Sequence, residues 1–214
     1  MTARLITITP DAEKTMAYIA RVSSPNQENP AIAGLLAYCI RHGHWSVFEH
    51  AYATLEIETS RAIARQIIRH RSFVFSEFSQ RYSAVNSDYI KVEARRQDTK
   101  NRQASHDDLP SEVTKWFEFA QVAAYDKAMT VYREALRKGI AKESARALLP
   151  EGMTLSRLYV TGSVRSWLHY LAVRLAAGTQ KEHRIVAQEC RGILEPLLPA
   201  TFQAASTTLF QEVK

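Results

Sequence analysis

At 214 residues, with 46% hydrophobic and 23% charged side chains, the chain has the ordinary make-up of a globular protein and enough length for a substantial core. No apolar run approaches the roughly 20 residues that span a bilayer, and the opening MTARLITITP lacks a signal-peptide core, so the expectation is a cytoplasmic protein that engages no membrane. A net charge of +6 and a pI near 9.4 suit nucleic acids, phosphorylated metabolites and flavin nucleotides equally well.

In chain order, LITITP (residues 5–10) alternates β-branched side chains and reads as a strand closed by proline. Asp11 stands where it can N-cap a helix through AEKTMAYIARVS. SPNQENP is a polar loop, and Pro30 is placed to open a helix through AIAGLLAYCIRHG, with Gly43 as its stop. FEHAYATLEIET reads as a strand with Tyr52, Thr54, Glu56 and Glu58 on one side and Ala53, Leu55 and Ile57 on the other. Ser60 then caps a helix through RAIARQIIRHR. Residues 84–110 turn polar and irregular, as in a long surface excursion. A long amphipathic helix from Ser111 to Lys138 ends at Gly139, and KESARALLP is a shorter helix stopped by Pro150. TLSRLYVTG follows as a strand, then SVRSWLHYLAVRLAAG and TQKEHRIVAQECRGILEPLL as helices. With no internal repeat and no break in composition, residues 1–214 read as one helix-rich α+β domain.

The densest chemistry lies in RHRSFVFSEFSQRY, Arg69 to Tyr82. Arg61, Arg65 and Arg69 recur at i, i+4 and i+8, so a continuous helix would stack their guanidinium groups on one face ahead of His70 and Arg71. Such a column is either a solvated face or an anion site, and the adjoining serines favour the latter, because guanidinium forks and hydroxyls suit phosphate and carboxylate oxygens. Glu77, beside Arg71 and Arg81, would organise those forks or accept a hydrogen bond from a ribose or base. A nucleic-acid stripe would need bases stacked on Phe73, Phe75 and Phe78, but Phe73 and Phe75 share one side of a strand and read as core. Ser79 has no base at helical or strand spacing and reads as a binding hydroxyl. Arg165 and Arg174 are nine residues apart, about half a turn of rotation, so they face opposite sides of one helix. If both are functional, one serves its own chain's site and the other a neighbour's; otherwise one is a surface charge.

Other chemistries find little support. Cys39 and Cys190 sit outside any CxxC pattern and read as buried and inert. His42, His44 and His50 lack partner ligands for zinc, so no metal is expected. The seven glycines form neither GxGxxG nor GxxxxGK[ST], and GxSxG and HExxH are absent.

Together these residues resemble the flavin-dependent thymidylate synthases, whose signature is RHR, seven residues, then serine, usually followed one residue later by Arg-Tyr. HWSVFEH (residues 44–50), ARVS (20–23), ARALLP (145–150) and TGSVRSWLHYLAVR (161–174) match the family in order and spacing. The resemblance implies the thymidylate synthase-complementing fold, a helix-rich domain around an antiparallel-type sheet, assembled as a homotetramer with active sites shared between subunits. It implies FAD as cofactor, NADPH as reductant, 5,10-methylenetetrahydrofolate as carbon donor and dUMP as acceptor, giving dTMP. By position, FAD would meet His44, Ser46, Glu49, Arg69, His70, Arg71, Glu77, Ser163, Arg165 and His169. The nucleotide would meet Gln66, Arg69, Glu77, Ser79, Gln80, Arg81, Arg146 and Arg174, with Arg174 as the catalytic guanidinium facing the uracil ring. Two positions depart from the family: Ser163 replaces a common asparagine and Gly178 a common histidine, with His183 or Gln180 as possible substitutes for the imidazole. Two alternatives stay open, a basic single-stranded nucleic-acid-binding protein and a family member that binds FAD and dUMP without turnover.

Overall fold

A computed structural model describes residues 1–86 and 88–210 of the chain. Six strands and eight α-helices are assigned within them: β1 (Thr2–Ile8), α1 (Ala12–Ala20), α2 (Ala33–Arg41), β2 (Tyr52–Ser60), α3 (Arg61–Ile67), β3 (Val74–Glu77), β4 (Arg96–Gln97), β5 (Ser105–His106), α4 (Ser111–Arg137), α5 (Lys142–Ala145), β6 (Leu155–Ser163), α6 (Val164–Arg174), α7 (Lys181–Leu194) and α8 (Pro199–Thr208). The main sheet has strand order β1-β2-β6-β3, and β4 pairs with β5. Its pairings are antiparallel. Arg61 N donates to Thr154 O and Val164 N to Ala51 O, so β2 and β6 run in opposite directions. The α+β expectation therefore holds.

The chain separates into two compact units, whose boundaries cut β2 after Ile57, β3 after Ser76 and β6 after Leu158. The first unit comprises Met1, Glu58–Ile67 and Glu77–Leu158. Its core is built on α4, where Tyr125, Met129, Tyr132 and Ala135 recur at helical spacing and meet Ala145 and Leu149. Two of those tyrosines also order the chain after residue 84. Tyr132 Oη accepts from Val85 N at 3.1 Å, Tyr125 Oη donates to Asp88 O at 3.1 Å, and Tyr125 stacks on Tyr89 with ring centroids 4.5 Å apart. The 84–110 excursion is thus more structured than its composition suggests. It carries the β4–β5 pair, reinforced by a two-pronged Arg96–Asp108 contact. At the far end of α4, Gly139 takes φ +81°, and Ile140 N bonds back to Ala135 O, the helix stop expected there.

The second unit comprises Thr2–Ile57, Ile68–Ser76 and the described chain from Tyr159 onward. Met16, Leu36, Phe48, Trp167, Tyr170 and Phe202 are fully buried in it, α2 packs on α8, and α7 packs on β1. Trp167 also satisfies its indole N–H on Ala53 O at 3.1 Å. Glu56, expected on the polar side of β2, is buried but engaged by both prongs of Arg4 at 2.7 and 2.8 Å. Cys39 and Cys190 are buried and free, as the sequence suggested.

Several boundaries move. Asp11 precedes α1 in the left-handed region (φ 47°) and makes no side-chain cap; its carboxylate bonds Lys14 instead. Pro30 does not open α2, which begins at Ala33 after Ile32. Residues 45–49 form a 3₁₀ turn, so β2 begins at Tyr52 rather than Phe48. The helix capped by Ser60, whose hydroxyl accepts from Ile63 N, stops at Ile67 rather than Arg71. The C-terminal helix α8 had a signal that went unread, Pro199 in its first turn.

Candidate active site

In the first unit the site residues follow from where β3 ends. Alternation along Val74–Glu77 leaves Val74 exposed, while Glu77 comes to lie among polar partners. Glu77 Oε1 accepts from Ser156 Oγ at 2.7 Å and from Arg61 Nη1 at 3.3 Å. Arg61 is buried against that carboxylate. Past Glu77, Ser79 Oγ accepts from Arg81 N at 3.3 Å in a local turn. Arg81 Nε donates to Glu143 Oε2 at 3.3 Å, and Arg146 Nε to Glu143 O at 3.2 Å. Across α3, Arg65 Nη2 donates to Glu151 Oε1 at 3.1 Å. Arg61, Arg65, Gln80, Glu143, Arg146 and Glu151 line a cavity of about 410 Å³. Gln80 is 3% exposed, yet its Nε2 has no hydrogen-bond partner among the described residues. A buried amide donor without an acceptor is costly unless a ligand supplies one. Gln66 is half-buried on α3.

In the second unit a different chemistry gathers around the turn at residues 45–49. Glu49 Oε1 accepts from Arg165 Nη1 at 2.6 Å, while Arg165 Nε is buried with no hydrogen-bond partner among the described residues. Burial works against the Glu49 charge, but hydrogen bonds from Ser163 and Arg165 outweigh it and hold the carboxyl below its ordinary range. His169 packs edge-on against Trp45 at 4.6 Å, and burial, then Arg165, lowers its pKa. His44, Ser46, Glu49 and Arg165 share a cavity of about 740 Å³ with Tyr38 and Trp45 on its wall. Ser163 caps α6, its hydroxyl accepting from Ser166 N at 3.2 Å. The imidazole absent at Gly178 is not supplied by His183, which is fully buried with Nε2 3.2 Å from Tyr170 Oη; Gln180 donates to Glu182.

The RHR triplet also lies in the second unit. Arg69 and Arg71 are exposed and make no ion pair or hydrogen bond among the described residues. His70 lies between them, half-buried, and accepts from Arg174 Nε at 2.8 Å. Burial first, and the Arg174 charge second, push its pKa down to about 4. His70 is therefore neutral, with its proton on Nδ1. Phe73 is buried against Trp167 with ring centroids 4.7 Å apart, as expected of a core ring, and offers no face for a base.

The arginine column is cut short in this geometry, with Arg61 and Arg65 both approaching Glu151, at 3.9 and 3.1 Å. Arg61 is buried on Glu77, Arg65 is exposed and paired with Glu151, and Arg69 lies beyond the last residue of α3. Helical spacing guarantees a common face only while the helix lasts. Sequence reasoning overlooked Glu143, Glu151 and Ser156, which contact site residues from 62, 86 and 79 positions away.

Residues 4–200 match the family model described as thymidylate synthase complementing protein. The chain is 56% identical over 192 residues to a flavin-dependent thymidylate synthase of Synechocystis, covering 90% of this chain and 88% of that one. It is 46% identical over 213 residues to a probable flavin-dependent thymidylate synthase of Paramecium bursaria Chlorella virus 1, covering 95% and 98%. Among solved structures, the UMP/dUMP methylase PolB of Streptomyces cacaoi bound with 5-Br dUMP superposes with a TM-score of 0.88 at 26% identity, covering 99% of this chain and 96% of that one.

Proposed function

The chain belongs to the thymidylate synthase complementing protein family, the flavin-dependent thymidylate synthases, and on that premise we propose how its residues divide the work. It is an FAD-dependent enzyme that methylates dUMP to dTMP. In this reading 5,10-methylenetetrahydrofolate donates the carbon and NADPH is the reductant.

The observation that carries the nucleotide assignment is the unpartnered, buried Gln80 amide at a cavity walled by arginines. Such a wall suits a monoester dianion, and the amide suits an acceptor on the nucleotide. We place dUMP there, with Arg146, Arg81 and Ser79 toward its phosphate and Gln66 and Glu77 toward its sugar and base. For FAD, the fit rests on Arg165 Nε, a buried donor without a partner beside the larger cavity. His44, Ser46, Glu49, Arg165 and His169 would hold it, Ser163 would border it, and the exposed Arg69 and Arg71 are free to meet its phosphates. When bound, FAD supplies the hydride that completes the methyl group.

Arg174 supplies the activating charge. Uracil C5 is a poor nucleophile while N3 keeps its proton, and a guanidinium at the ring oxygens stabilises the deprotonated ring, raising electron density at C5. Because His70 Nε2 accepts the Arg174 Nε–H, the two terminal nitrogens of that guanidinium remain for the ring. No thiol is needed, consistent with two buried cysteines whose pKa values burial raises. Nucleotide and flavin residues must meet at one reaction centre, and we infer that they do so between subunits of a homotetramer. An apolar stripe on α4, with Trp116 66% and Phe119 74% exposed, supports self-association. No described helix is long and apolar enough to cross a membrane, and we place the enzyme in the cytoplasm.

The test is an anaerobic assay with FAD, NADPH, methylenetetrahydrofolate and dUMP. Formation of dTMP is expected. NADPH oxidation without dTMP would instead identify a member that binds but does not turn over.

A further inference from the structure

The ion pairs around the nucleotide cavity are of two kinds. Glu77 is fixed: it is held by buried Arg61 and by Ser156. Arg65 with Glu151, and Arg81 with Glu143, have every side chain more than half exposed, at 58%, 57%, 54% and 55%. Solvent-screened pairs of that kind contribute little and exchange easily. Yet both carboxylates stand on the cavity wall beside Arg146 and the unpartnered Gln80 amide. The backbone at Glu151 is tethered, since Ala62 N donates to Glu151 O at 3.1 Å and Arg61 N to Thr154 O at 2.9 Å. The Glu151 side chain has to swing to free Arg65, and its Oε1 also lies 3.9 Å from Nε of the buried Arg61. A monoester dianion offers more acceptor oxygens and more charge than a carboxylate, so it is the better partner for a guanidinium fork.

We propose that Arg65 is a further phosphate-binding residue of the nucleotide site, and that Glu151 is the carboxylate that occupies its guanidinium until the phosphate displaces it. Glu143, which lines the same cavity, does the same for Arg81. The inference rests on the assignment of this cavity to dUMP. It leaves the empty cavity partly neutralised: three lining arginines, Arg61, Arg65 and Arg146, face two lining glutamates until the substrate dianion displaces those carboxylates. It also makes the exchange selective for a phosphorylated ligand, because an uncharged nucleoside cannot displace either carboxylate.

The test is calorimetric titration of the full-length, FAD-loaded protein with dUMP and with deoxyuridine, on the parent, Glu151→Gln, Arg65→Ala and the double variant. Glu151→Gln removes the competing charge while keeping the side chain's size, and is expected to tighten dUMP about 3- to 10-fold. In that background Arg65→Ala should weaken dUMP by about 10- to 100-fold, the range for a lost hydrogen bond to a charged group, and by more than it does in the parent. Deoxyuridine affinity should not change among the variants. If Arg65 only shields Glu151 from the ligand, Arg65→Ala weakens binding in the parent but has no effect once residue 151 is glutamine, and the proposal falls. A parent that binds no dUMP at all refutes the cavity assignment instead, which separates the two failures. Unchanged melting temperatures across the set show that the affinities report contacts rather than folding.

Discussion

Gly162 in β6 gives the sharpest test of how the signature segment is held. A Cβ built there would lie 2.3 Å from Phe73 Cδ1 and 2.4 Å from Cε1, more than 1 Å inside ordinary contact, with Ser166 Cβ at 3.2 Å. The ring cannot yield freely, because Trp167 stands 4.7 Å and Tyr170 5.8 Å from it, centroid to centroid. Gly162→Ala therefore overpacks a closed cluster, at a cost of about 1–3 kcal/mol. For a chain of this length that lowers the melting temperature by roughly 2–12 °C. His70, 6.5 Å from the same ring, would shift with it, so retained flavin should fall in parallel. The assay is thermal unfolding of Gly162→Ala, Phe73→Leu and the double variant, with Gly178→Ala as the control, since nothing lies within 4 Å of a Cβ at that position. Shortening Phe73 should relieve the clash, leaving the double variant more stable than the two single losses added together. An unchanged melting temperature in Gly162→Ala, or strict additivity, would refute the reasoning.

Acid should destabilise the fold through its neutral histidines. Burial holds His183 at about 3 and His70 at about 4, whereas in the unfolded chain both titrate near 6.5. The unfolded state therefore binds more protons below about pH 6.5, so stability present above that pH is lost as pH falls toward those folded values, His183 accounting for up to about 1.4 kcal/mol per pH unit. Urea midpoints at pH 7, 6 and 5 should decline less steeply in His183→Gln, and parallel slopes would exclude His183 as a source. Cys39→Ala with Cys190→Ala should keep most dTMP formation while Arg174→Ala loses most of it; a folded, FAD-loaded double cysteine variant without activity would sink the thiol-free route. Trp116→Glu with Phe119→Glu should reduce the particle mass seen by light scattering. If sites are shared, mixed assemblies of Arg69→Ala and Arg174→Ala subunits should regain activity that neither variant has alone, and verified hybrids that stay inactive would count against sharing.

What could be read from the sequence was whatever local periodicity or turn chemistry decides. The α4 helix and its Gly139 stop were legible because a long amphipathic pattern and a positive-φ glycine are local signals. So was the burial of Phe73, although the residue lies in a bend just before β3 and not in the strand. The burial of Glu56 was not, because its partner Arg4 lies 52 positions away. Nor was the end of α3, since RAIARQIIRHR contains no breaker. The chain leaves the helix at Ile67 and reaches Phe73 through a turn in which Phe73 N bonds His70 O. That early exit takes Arg69 out of the helix whose face Arg61 and Arg65 share, with no helix-stop residue to announce it.

The division of the chain gives the seven-residue spacing of the signature a physical meaning. RHR and the SFVFS that follows it belong to the second unit, whereas Glu77 to Tyr82 belong to the first. The four residues of β3, Val74–Glu77, straddle that boundary, and their alternation sets which side each of them takes. One inserted residue would reverse that alternation for everything after it, moving Glu77 off Arg61 and Ser156 while leaving RHR unchanged. Composition alone could not have exposed this, because arginine, phenylalanine and serine recur through the whole stretch. The spacing matters because the chain buries Phe73 and presents His70 to Arg174 within the second unit, and then brings Glu77 to its two donors within the first.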